Sequence, residues 1–262
     1  MSESSAPLAD RTIAALRANH DRLAGVVASL SEAQLTGPSG ASDWTIADVL
    51  SHLGSGAEIG RYPVEAAATG EAVDAPGNQE VWDRWNALAP ADQASSFVQS
   101  DEQSVATFEG LSPEQRGSVT IDLGFLPEPV PLVTALGMRL NEQALHSWDV
   151  EVGLDPAAAL TDESAGLLAE HFSSTMNFLL GFVGKPEGVG PARVGLGEYT
   201  IVIDDAVRLE AGTTDTTATF QGPLEAGIRL LAGRLKPDYT PDAVSVSGNI
   251  TLDELRTAFP GY

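Results

Sequence analysis

Glu142 and His146 stand one helical turn apart in the stretch Arg139-Leu140-Asn141-Glu142-Gln143-Ala144-Leu145-His146-Ser147-Trp148-Asp149. In a helix that spacing projects a carboxylate and an imidazole from one face with Cβ atoms about 5–6 Å apart, so one cation can bridge them. The same pair also suits a plain surface hydrogen bond, and spacing alone does not separate the two. His52 lies beside the apolar stripe of another helical segment. A bundle that faces the two helices together brings it across the core as a third ligand. Otherwise it is a core-edge histidine satisfied by a backbone carbonyl. Two imidazoles and one carboxylate around a tetrahedral ion leave a position open, which marks a catalytic rather than a structural centre.

The chain contains no cysteine, which removes disulfides, thiolate-held zinc and every cysteine nucleophile. Any sulfur chemistry must use a thiol brought from outside. Its 37 acidic residues against 14 basic ones give a formal charge of -23. Phosphate backbones and anionic membrane surfaces are repelled by such a charge, so nucleic acid and membrane partners are not expected. There is no apolar run of about 18 residues, and Met1-Ser2-Glu3-Ser4-Ser5 lacks the basic-then-apolar order of a secretory signal, so a cytoplasmic protein, a monomer, is expected. No nucleophile elbow, P-loop or dinucleotide fingerprint redirects the reading.

The elements that position these residues are legible as periodicities. Ile13, Leu16, Leu23, Val27 and Leu30 recur at helical spacing between Leu8 and Leu30, with His20 on the same stripe. After the break at Pro38-Ser39-Gly40, Ile46, Val49, Leu50 and Leu53 predict a second helix capped by Thr45 or Asp43. A third helical stretch covers about Glu80 to Gly110 with an interruption near Pro90, and the strongest pattern runs from Pro131 to Val152. Thr161-Asp162 caps a further helix through His171 to about Val183. The segment Gly184 to Pro191 is rich in breakers, and the period changes after it from helical to alternating. Strands are predicted at 199–203, 207–210, 217–220 and 244–246, with a helix from Pro223 and a last one opened by the capping box at Thr251 and Glu254. The expected fold class is therefore α+β: a helical bundle over 1–187, followed by a small α+β domain over 188–262.

The stretch Asp43-Trp44-Thr45-Ile46-Ala47-Asp48-Val49-Leu50-Ser51-His52-Leu53 resembles the N-terminal signature of the mycothiol-dependent maleylpyruvate isomerase family, a branch of the DinB-like metal-binding superfamily. The stretch from Arg139 to Asp149 resembles its second signature, and Leu230-Leu231-Ala232-Gly233-Arg234 with Val246-Ser247-Gly248-Asn249 is similar, more loosely, to its small C-terminal domain. The resemblance implies a DinB-like bundle and carries the family's metal ligands onto His52, Glu142 and His146. It implies a divalent ion, zinc in the family, and mycothiol as the thiol cosubstrate. The expected mechanism is a metal-lowered thiol pKa that presents a thiolate to a small electrophile. For a maleylpyruvate-like substrate, addition to the cis double bond gives an enolate, rotation follows, and expulsion of the thiol returns the trans isomer. A thiol S-transferase shares that nucleophile, while a metal-assisted hydrolase and a non-catalytic binding or regulatory protein are the other readings.

Around these residues the sequence offers further candidates. Arg234, with Arg229 as second choice, is the expected cation for a substrate carboxylate, and Arg139 is expected to line the pocket one turn before Glu142; each arginine's plain alternative is an ion pair with a neighbouring acid. Asp48 either orients His52 as a hydrogen-bond acceptor or stabilises the first turn of its helix. Asp149 stands in the same way beside His146, as a hydrogen-bond acceptor for its ring or, the preferred reading, as a solvated surface carboxylate. His20 and His171 are read as core histidines, and Trp44 and Trp148 as core aromatics.

Overall fold

The computed structural model describes residues 5–261. Contacts divide the chain into two compact units that meet between Asp155 and Pro156.

In the first unit α1 (Ser5–Val27) is followed by the short α2 (Glu32–Leu35), α3 (Ile46–Thr69), α4 (Asn78–Asn86), α5 (Pro90–Glu109), α6 (Pro113–Ser118), the two-residue strands β1 (Thr120–Ile121) and β2 (Val130–Pro131), and α7 (Leu132–Val152). The long helices α1 and α3 both pack against α5 and α7, so α1, α5, α3 and α7 close a four-membered ring around one core. Leu23, Val49, Leu50, Leu53, Trp85, Phe97 and Val150 fill it. The break at Pro90 is a helix start rather than a kink, since proline at the first helical position gives up only an N–H that has no intrahelical partner.

The register of α3 on α5 depends on a missing side chain. A Cβ on Gly54 would stand 2.2 Å from the Trp85 ring and 3.1 Å from the Phe97 Cα. We expect Gly54→Ala to force the helices apart at a cost of about 1–3 kcal/mol or more, read as a lower urea midpoint at unchanged slope. An unchanged midpoint would mean that the indole swings away freely.

The second unit contains α8 (Asp162–Phe172), α9 (Asn177–Val183), the strands β3 (Ala192–Leu196), β4 (Tyr199–Ile203), β5 (Val207–Ala211) and β6 (Ala218–Gln221), then α10 (Leu224–Leu231), β7 (Ser245–Gly248) and α11 (Leu252–Ala258). The five-stranded sheet has the order β5-β4-β3-β6-β7, with β3 and β6 parallel and the other pairs antiparallel. Gly227 lets α10 lie directly on β3, because a Cβ there would meet Leu196 at 2.4 Å. The capping box at the start of α11 is present as read from sequence: the Thr251 hydroxyl and backbone N–H both donate to Glu254, and these bonds hold the Glu254 carboxyl below the usual range.

Three sequence expectations differ from this fold. The helix expected through Val183 breaks after Phe172, and α8 and α9 pack with β5 and α10, which draws them into the second unit and puts its start at Pro156 instead of the breaker-rich segment near 187. The central strand β3 is absent from the sequence reading because nearly all of it is buried on both faces and Gly195 interrupts the apolar run, so no alternation marks it. Of the two proposed caps on α3, Thr45 is the residue used, while Asp43 sits before it in the left-handed region at φ 66°.

Candidate metal centre

Two helices carry the candidate ligands. His52 is on α3, fixed by the cap at Thr45, and Glu142 and His146 lie one turn apart on α7, against which α3 packs. Their side chains converge. His52 Nε2 is 3.1 Å from Glu142 Oε2, and His146 Nε2 is 3.6 Å from the same oxygen. One ligand atom from each residue lies within 4.8 Å of the other two, and this is the one such group of His, Asp and Glu among the described residues. A tetrahedral ion with bonds of about 2.0–2.2 Å needs donor atoms roughly 3.3–3.5 Å apart, so the two distances to Glu142 bracket what shared coordination requires. The donor set of two nitrogens and one carboxylate oxygen is that of a catalytic zinc site with a further position for water or substrate. The residues present therefore fit a divalent ion.

Behind the ligands stands a carboxylate that the sequence misplaced. Asp149, expected at the surface, is fully buried, and its Oδ2 lies 2.8 Å from His146 Nδ1. It is one turn past His146 on α7, so helical spacing brings it close. What buries it is the loop before α3: the Gly40 N–H donates to the Asp149 carbonyl at 2.8 Å, and a Cβ on Gly40 would meet Asp149 Oδ1 at 2.9 Å. A carboxylate on Nδ1 fixes the ring and leaves Nε2 as the donor atom aimed at Glu142 and His52. Asp48 has no such role here, because its Oδ2 accepts the Thr45 N–H at 2.9 Å and the Thr45 hydroxyl at 2.6 Å. Of the two readings of Asp48 the structure shows the first-turn one, and the carboxylate–imidazole contact is made at His146 by Asp149. We expect Asp149→Ala to weaken metal binding 10- to 100-fold in competition with a chromophoric chelator, and Asp149→Asn, which keeps an acceptor oxygen, to weaken it less. Equal affinities in all three proteins would remove Asp149 from the centre.

The aromatics divide in the same way. Trp148 is core, as expected, but Trp44 is 38% exposed, with its ring centroid 5.2 Å from that of His52 and 6.0 Å from that of His146. His20 and His171 are buried core histidines: His20 Nδ1 pairs with Asp101 Oδ2 at 2.9 Å, and His171 Nδ1 meets the Thr175 hydroxyl at 2.8 Å.

The arginines take local partners. Arg139 donates from Nη2 to Asp101 Oδ1 at 2.7 Å and to the Leu53 carbonyl at 3.2 Å, tying α7 to α5 and to the residue after His52 on α3. In the second unit Arg229 makes a buried two-pronged pair with Glu225 at 2.7 and 3.0 Å and donates to the Tyr239 carbonyl. Arg234, also in the second unit and buried, donates from Nη1 to the Ala232 carbonyl at 3.3 Å. Among the described residues no helix is long and apolar enough to cross a membrane.

Residues 16–151 match the sequence family described as the mycothiol maleylpyruvate isomerase N-terminal domain. Two uncharacterized proteins of Mycobacterium tuberculosis, from different strains, are each 28% identical over 149 residues, covering 55% of this chain and 68% of their own length. Among solved structures, the crystal structures of a mycothiol-dependent maleylpyruvate isomerase and of its histidine-to-alanine mutant superpose with TM-score 0.64 at 16% identity, over 92% of this chain and 94% of theirs. At that identity the likeness concerns the fold, and it spans both units.

Proposed function

The chain belongs to the mycothiol maleylpyruvate isomerase N-terminal domain family, and from that premise we propose that it is an enzyme in which His52, Glu142 and His146 hold a divalent ion that activates mycothiol toward a small electrophile, as in maleylpyruvate cis–trans isomerisation. The observation that carries the reading is the convergence of two imidazoles and one carboxylate at spacings suited to one ion. When bound, the ion supplies the positive charge that keeps a neighbouring sulfur deprotonated near neutral pH. The chain's own part is to hold the donors. Asp149 fixes the His146 ring, the Thr45 cap fixes the start of α3, and the absence of any cysteine leaves the sulfur to a cosubstrate. Among the divalent ions, zinc suits the mixed nitrogen and oxygen set in tetrahedral geometry.

The catalytic role proposed for Arg234 rests on chemistry alone: a planar guanidinium binds a carboxylate in two places. Arg229 and Arg139 already commit donors to Glu225 and Asp101. A monomeric protein acting in the cytoplasm is part of the same proposal.

The test is to incubate full-length, zinc-loaded protein with mycothiol and maleylpyruvate and to follow products by mass spectrometry. The proposal expects the trans isomer, formed only when ion and thiol are both present. A thiol adduct as end product makes the protein an S-transferase working through the same nucleophile. Hydrolysis that needs no thiol, or no conversion at all, overturns the proposal.

A further inference from the structure

Trp44 is held where a structural tryptophan has no need to be. Its ring is near-parallel to that of His146, at 20°, and tilted by 52° to that of His52, beside both candidate imidazoles, yet more than a third of the residue is in water. Burial is the usual fate of so large an apolar side chain. The loop that presents it is tied down at every turn. The Ser39 N–H and hydroxyl both donate to the Trp44 carbonyl, at 3.1 and 2.9 Å, and the Trp44 N–H donates to the Ala41 carbonyl at 3.3 Å. Gly40 is seated against Asp149 and Trp148 on α7, with no room for a Cβ. Asp43, immediately before the tryptophan, takes a left-handed backbone conformation that costs a residue with a side chain of order 1 kcal/mol. Thr45, immediately after it, caps α3. The Trp44 backbone is thus held in place, and its indole stands more than a third exposed at the edge of the centre.

We propose that Trp44 is the platform on which the sugar of a glycosylated thiol stacks while the sulfur of that thiol occupies the position left beside His52, Glu142 and His146. This rests on reading the centre as a thiol-activating metal site. The negative face of an indole attracts the weakly positive C–H groups that line one side of a sugar ring. It repels carboxylates, which suits an uncharged sugar better than an anionic electrophile, as does the formal charge of -23. Mycothiol is an acylated cysteine joined through an amide to an amino sugar, so its first sugar ring stands only a few bonds from the sulfur. That short connection is of the same order as the 5.2 and 6.0 Å separating the Trp44 ring from the two imidazoles. No bond is made or broken at Trp44, and its part is affinity and choice of thiol.

The test is equilibrium binding to the full-length, cobalt-loaded protein, read from the sulfur-to-cobalt charge-transfer absorption, with mycothiol and with N-acetylcysteine N-methylamide, which has the same acylated cysteine amide without the sugars and, like mycothiol, no free carboxylate. Wild type should bind mycothiol more tightly than the methylamide. In Trp44→Ala the dissociation constant for mycothiol should rise about three- to tenfold, the worth of one aromatic stacking contact. Binding of the methylamide and cobalt content should stay the same, and Trp44→Phe should recover most of the preference for mycothiol. A preference that survives in Trp44→Ala overturns the proposal. So does an equal weakening of both thiols with loss of cobalt, which would make Trp44 a support for the imidazoles only. If neither thiol produces the absorption band in wild type, the thiol-activating reading itself fails and this proposal falls with it.

Discussion

Full-length protein carrying His146→Ala is expected to emerge from chelator-treated gel filtration without metal, with an affinity lower by about a hundred- to a thousandfold. Protein-bound zinc in four-ligand sites is worth about 10–16 kcal/mol, so one ligand accounts for about 2.5–4 kcal/mol. His52→Ala and Glu142→Ala should cost a similar factor, because the three residues supply the donor set together. The three variants part company in stability. His52 and Glu142 are both more than a third exposed at their side chains, and their loss leaves no buried group stranded. His146 is different, since its Nδ1 faces the fully buried Asp149 carboxylate. Truncating it strands a buried acceptor, at a cost of about 1–3 kcal/mol or more. Elemental analysis with urea unfolding of the metal-free proteins should therefore show metal loss in all three and a lower midpoint in His146→Ala. Unchanged metal content in all three would remove the centre from this protein, and an unchanged midpoint in His146→Ala would mean that Asp149 finds another donor.

The convergence of His52, Glu142 and His146 was legible because two kinds of signal met on these residues. A one-turn spacing inside the most strongly periodic segment fixes that Glu142 and His146 share a face, and a family signature around His52 says which other helix faces them. Their neighbours lacked the second signal. Trp44 sits next to a helix cap, where an aromatic residue is ordinarily core, and its exposure follows from a loop seated on α7 by Gly40, a contact no local pattern announces. Asp149 has the right spacing from His146, but its burial is imposed by the same loop. For α8 and α9 the period reveals a helix without revealing which core it serves, so the change to alternation marks a boundary in the sequence although the first helices of the second unit precede it. Arg139 shows the reverse limit. Its spacing puts it one turn before Glu142 as a residue expected to line the pocket, but its partner Asp101 lies on a helix whose facing could not be read.

Replacing that Asp101 should produce a loss of stability as large as that of truncating a core aromatic. The carboxylate is fully buried where α1, α5 and α7 meet. Its Oδ2 faces His20 Nδ1 at 2.9 Å and accepts Gln143 Nε2 at 2.8 Å, while Oδ1 accepts Arg139 Nη2 at 2.7 Å. On the far side of its ring, His20 meets Glu102 at 3.1 Å, with Arg17 beyond, opposing its charge. Burial alone pushes the Asp101 carboxyl up, yet the hydrogen bond to His20, the Arg139 charge and the bond from Gln143 together hold it below its ordinary value of 3.8. The bond to Asp101 outweighs burial at His20 and raises its imidazole above 6.5. Asp101→Ala strands a buried arginine and a histidine, and should cost about 3–5 kcal/mol. Because Arg139 and Gln143 flank Glu142 while the Leu53 carbonyl follows His52, the same change should loosen the spacing of the ligands and weaken metal binding. The pH dependence follows from the two directions. The depressed Asp101 contributes fully above its ordinary 3.8 and loses its contribution as pH falls through its lower folded value; the raised His20 contributes fully below 6.5 and loses its share as pH rises through its higher folded value. Both are at full strength between those ordinary values. The gap in urea stability between wild type and Asp101→Asn should therefore be wider at about pH 5 than at about pH 8. An equal gap at both would mean that His20 carries no extra proton in the folded protein and that the stabilisation comes from Arg139 and Gln143.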